Sequence, residues 1–95
     1  MKDSPLKNKS YAFSIRIVNL AMAINESKNQ FVLSKQIVRS GTSIGALIRE
    51  AEFGQSRADF TSKMSIALKE ANETNYWLCL LSDTHIINKE TFQVC

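Results

Sequence analysis

Apolar residues recur three or four positions apart along nearly the whole chain, which is the spacing that lines one face of an α-helix. One proline and three glycines interrupt that pattern very little. Pro5 follows Ser4, where proline is tolerated at a first helical turn, so an opening helix is predicted over about 5–25. The polar run Asn25-Glu26-Ser27-Lys28-Asn29 reads as the first loop. A second helix is expected over about 30–53, stopping near Gly54. A third should start at a Ser56 cap, with Asp59 in its first turn, and run over 56–83. The tail from Asn88 to Cys95 reads as a short helix start that stops after about two turns. The fold class expected from the pattern is all-α: an up-and-down antiparallel bundle of the four-helix type, with three long helices and a truncated fourth.

The three helices differ in how many faces they need covered. On the third, Phe60, Met64, Ala67, Ala71, Thr74, Leu78 and Leu81 form one seam at alternating three-and-four spacing. On the second, Leu33, Ile37, Ser40, Ile44, Leu47, Ile48 and Ala51 gather on one side. The first is apolar twice over. Phe13, Ile17, Leu20 and Ile24 make one stripe, and Tyr11, Ile15, Val18 and Met22 make another on the opposite side. A helix with two apolar faces in so short a chain points to burial between subunits, so the second stripe is expected to be an oligomer interface. Trp77 falls outside the seam of the third helix. It is either a flank of the monomer core or a further interface anchor.

A length of 95 residues with 44% hydrophobic side chains allows one helical domain, spanning 1–95. Small domains bury a modest share of their surface, which is a further reason to associate. Cys79 and Cys95 are read as reduced thiols, because the polar N-terminus has no apolar leader segment. A cytoplasmic protein with no membrane association is the resulting expectation, since no apolar run approaches the length of a membrane span.

Catalytic chemistry finds little to build on. The one histidine, His85, has Ser82 three positions before it, so the paired Glu-x-x-His ligands of di-metal bundles are lacking and Glu70 with Glu73 does not make a metal site. No base is placed beside a serine or cysteine nucleophile. Gly41-Thr42-Ser43-Ile44-Gly45 lacks the lysine of a phosphate-binding loop and lies within a helical pattern. Gly41 and Gly45, four apart, are read as sites of close helix packing. No enzyme activity, cofactor or metal is expected.

Charge placement supplies the one binding hint. The formal net charge is +3 with a pI near 9.0. Lys35, Arg39 and Arg49 line up on the second helix opposite its core, with no acid in the strip. Such a face can contact phosphates of RNA or DNA, and an oligomer would repeat it. The same strip also suits a merely solvated surface.

The stretch Phe31-Val32-Leu33-Ser34-Lys35-Gln36-Ile37-Val38-Arg39-Ser40-Gly41-Thr42-Ser43-Ile44-Gly45-Ala46 resembles the signature of the bacterial four-helix-bundle family named for 23S ribosomal RNA intervening sequences. Asp59-Phe60, the run from Lys63 to Thr74, and Tyr76-Trp77-Leu78 resemble its other shared stretch. The resemblance implies an antiparallel four-helix bundle, a homopentameric ring and no enzymatic activity. That family is in turn similar to the accessory variability determinant proteins of diversity-generating retroelements, which implies nucleic acid and a reverse transcriptase as possible partners. Two departures stand out: Leu47 replaces a common asparagine, and the long apolar fourth helix is not in this sequence. Two functions remain open. One is an oligomeric scaffold that binds nucleic acid through Lys35, Arg39 and Arg49; the other is a protein-only adaptor acting through the first helix and Trp77.

Overall fold

The computed structural model describes residues 4–92, and among these the chain forms three helices and no strand. Helix α1 spans Pro5–Lys28, α2 Phe31–Glu52 and α3 Arg57–Asp83. Ser4 caps α1 by accepting a hydrogen bond from the Lys7 N–H at 3.2 Å, and Pro5 sits at the first turn, where a missing N–H costs nothing. The helix runs on through residues read as loop. Its stop is Asn29, which takes the left-handed conformation (φ 56°) and donates its N–H to the Asn25 carbonyl. Asn29 and Gln30 alone join α1 to α2, a link so short that the two helices must run antiparallel.

Helix α2 stops just before Gly54, as its pattern predicts. Gly54 does not adopt a left-handed conformation; the cap is Phe53 (φ −99°). Ser56 does cap α3, its Oγ accepting from the Asp59 N–H at 3.0 Å. At the other end of α3, the His85 N–H donates to the Ser82 carbonyl and the Ile86 N–H to the Leu81 carbonyl. With His85 left-handed (φ 62°), this pair of bonds is the Schellman ending, normally a glycine position.

Helices α1 and α3 both pack on α2, with no Cα pair between the two within 8 Å. The core is centred on the fully buried Ile17, Ile37, Leu78 and Leu81, with Ala21 and Ile24 completing the α1 contribution. What bridges the space between α1 and α3 is the segment after α3. Ile87 and Phe92 join the core cluster, Phe92 meeting Phe13 edge-on at 6.0 Å. Arg16 lies 4.3 Å over the Phe92 ring and donates to the Thr91 carbonyl at 3.0 Å. Residues 88–91 form a turn in which Asn88 accepts from Glu90 and Thr91, the bonds a helix start would make. No fourth helix follows among the described residues; the rest of the 88–95 segment lies outside them. The α3 seam is correspondingly uneven: Leu78 and Leu81 are buried, while Phe60 at its start is exposed, as is Leu6 on α1.

Cys79 is disulfide-bonded, which corrects the reading of a reduced thiol; Cys95 lies outside the described residues.

Candidate functional site

Turning Ile17, Ala21 and Ile24 inward fixes where the rest of α1 points. Tyr11, Ile15, Val18 and Met22 are exposed to 58, 48, 39 and 57%. On α2, burial of Ile37, Gly41 and Ile48 likewise sends Lys35, Ala46 and Arg49 outward. The two outward sets are not separate surfaces. They border one groove along the α1–α2 seam, in two depressions set end to end. The first, of about 660 Å³, is lined by Lys7, Tyr11 and Ser14 of α1, by Thr42, Gly45, Ala46, Arg49 and Glu50 of α2, and by Phe53. The second, of about 300 Å³, is lined by Val18, Ala21, Met22 and Asn25 with Phe31, Ser34, Lys35 and Val38. Small side chains make the floor, and large apolar ones with cationic ends make the walls.

Of the three cations expected to act together, two reach this groove. Arg49 is held 5.7 Å over the Tyr11 ring, and Lys35 lies beside Val18 and Met22. Arg39 is drawn the other way, across the α2–α3 seam. Its guanidinium pairs with Glu70 at 3.1 Å and also with Glu73. Ser43 donates to the same Glu70 oxygen at 3.1 Å, and Trp77 Nε1 donates to Glu73 at 2.9 Å. The strip that holds no acid on its own helix is therefore supplied with two by the next one. Trp77 is half-buried in that network, packed edge-on against Tyr76 at 5.1 Å, and does not line the groove. Ile15 lies on the exposed side of α1 but borders neither depression.

The two glycines also part company. Gly41 is buried against Ile17, while Gly45 lies in the groove floor near Ser10 and Ser14. At the end of the groove Lys7 pairs with the buried Glu52 at 3.8 Å, and the second Glu52 oxygen has no partner. Ser14, Thr42 and Ala46 are floor residues that hydrophobic patterning alone passes over. Their small size at helical spacing is the signal that finds them. Among the described residues no three His, Cys, Asp or Glu side chains cluster as metal ligands would, and no helix is long and apolar enough to cross a membrane.

Among the described residues, three helices with an apolar, cation-edged groove along the α1–α2 seam define a small all-helical protein. The chain belongs to the 23S rRNA-intervening sequence protein family, whose sequence profile matches residues 2–95. Among solved structures it is similar to a protein of unknown function from the S23 ribosomal protein family of Bacteroides thetaiotaomicron, with 59% identity and a TM-score of 0.91. That match covers 93% of this chain and 82% of the other. No curated protein matches the chain significantly.

Proposed function

We propose that this protein is a non-enzymatic helical scaffold that assembles with copies of itself, as a pentamer, through the α1–α2 groove. The observation that carries the reading is the exposure of Tyr11, Val18 and Met22 beside the exposed Phe31 and Phe53. Apolar area of this extent on a small monomer is normally covered. Covering it stabilises the assembly by about 25 cal/mol per Å² of apolar surface removed from water, before association costs are subtracted. Val18→Lys should reduce the solution mass measured by light scattering to that of one chain, 10.7 kDa. Retention of the wild-type mass and stability by that variant would end the reading. The place of action we assign is the cytoplasm, the compartment of ribosomal RNA. Against that stands the Cys79 disulfide, a bond rare there.

RNA or DNA binding is the second reading, and Lys35 and Arg49 favour it. Among the described residues neither forms an ion pair, so both charges are available to phosphates. Both also lie in the groove that self-association would cover, so one copy cannot present them to a second subunit and to nucleic acid at once. Titration of RNA at two salt concentrations tests this reading. Loss of salt-dependent binding in a Lys35→Glu, Arg49→Glu double variant supports it, and unchanged affinity rejects it.

A further inference from the structure

We infer that the α1–α2 groove is filled by the outer stripe of α3 from a second copy of this chain; the inference rests on the self-association reading above. The first argument is charge. Around the groove Lys7 is matched by Glu52 and Glu50 by Lys63, which leaves Lys35 and Arg49 as two uncompensated cations. Packing the groove against its own copy would set these cations against each other, and such like-charge contacts cost several kcal/mol. The covering surface must be apolar and acidic.

Helix α3 carries such a surface. Asp59, Ile66, Glu73 and Leu80 are each seven residues apart and so follow one line along the helix. Ile66 is 41% exposed, and Tyr76 is exposed beside this line. Glu70 and Glu73 share the single guanidinium of Arg39, so this flank keeps one negative charge in excess. Asp59 adds another; Lys63 and Lys69 flank Ile66 three residues to either side, Lys63 already paired with Glu50, so the flank keeps a net charge of one negative.

Spacing is the second argument. Asp59 and Glu73 lie two heptads apart, about 21 Å along a helix, and so do Lys35 and Arg49. Ile66 falls midway between the acids, and Thr42 falls midway between the cations, with Ala46 one turn further along the groove floor. One alignment therefore sets both acids near both cations and the isoleucine over small side chains. Because groove and stripe are different surfaces, each copy offers one of each, and such head-to-tail contacts form a ring where the rotation between copies closes and an open filament where it does not.

Two variants and their mixture test the pairing. Val18→Lys disables the groove and leaves the stripe; Ile66→Lys disables the stripe and leaves the groove. Each alone should run at 10.7 kDa. Mixed in equal amounts they should give a species of twice that mass, because an intact stripe meets an intact groove once per pair. Circular dichroism of each must match wild type; Met22→Lys and Tyr76→Lys, at sites more exposed still, replace any variant that does not. If Ile66→Lys keeps the wild-type mass while Val18→Lys does not, the α3 stripe is not the occupant. If both are single chains and the mixture stays so, the two surfaces do not meet each other. If Val18→Lys keeps the wild-type mass, the self-association reading fails first.

Discussion

Gly41 of α2 meets Ile17 of α1 so closely that a Cβ on the glycine would lie 2.9 Å from both γ carbons of the isoleucine. Ile17 is fully buried and cannot yield. Gly41→Ala gains about 1 kcal/mol of helix propensity and loses roughly 1–3 kcal/mol to overpacking. A lower urea midpoint is therefore expected. Gly45 has only ordinary contacts, at 3.4 Å from Ser10 and Ser14, so Gly45→Ala should hold or raise stability by up to about 1 kcal/mol. Equal effects at the two sites would contradict this account of α1–α2 packing.

His85 is the chain's one histidine, and its place in the structure is a conformational one. A left-handed residue with a Cβ is disfavoured by roughly 1–2 kcal/mol, less when the fold over-determines it. His85→Gly should stabilise the protein by about 0.5–1 kcal/mol in thermal or chemical unfolding. A destabilised variant would mean that the imidazole contributes something beyond its backbone.

The packing of Phe92 on Phe13 and beneath Arg16 makes the segment after α3 part of the core. Phe92→Ala should cost roughly 3–5 kcal/mol, the range of buried aromatic deletions. Hydrogen exchange would show the loss concentrated at residues 84–92, with Ile87 exposed as the segment lifts. An undiminished melting midpoint would show that α1–α3 need no such bridge.

The helices were legible in the sequence because the features that start and stop them are local. Ser4-Pro5 and Ser56 announce helix starts through their own side chains, and the stripe of Ile17 and Ile24 follows from spacing alone. Two things were not legible, for one reason. The acidic partners of Arg39 lie on α3, thirty-one and more residues away, and the wheel of α2 cannot contain them. The merging of the α1 stripe with the Lys35 and Arg49 side of α2 is likewise a property of how two helices are rotated against each other. Periodicity fixes each helix's inner face, but only the packed pair shows that two outer faces adjoin.

That adjacency makes the roles of Lys35 and Arg49 decidable by comparing a single chain with the assembly. If the groove is covered between subunits, the wild-type assembly hides both cations, and Val18→Lys releases them into solvent. RNA affinity per chain, measured at low salt, should then rise in the dissociated variant, and its salt slope should steepen by about 0.9 for each phosphate newly contacted on a duplex. The added lysine brings one such contact of its own, so Val18→Ser, which weakens the apolar wall without adding charge, is the control. If instead the cations stay on the outer surface of the ring, repetition favours the assembly, and dissociation should weaken binding by one or more orders of magnitude through lost avidity. The direction of that change, read alongside the mass of each variant, separates a surface that joins copies from one that holds nucleic acid.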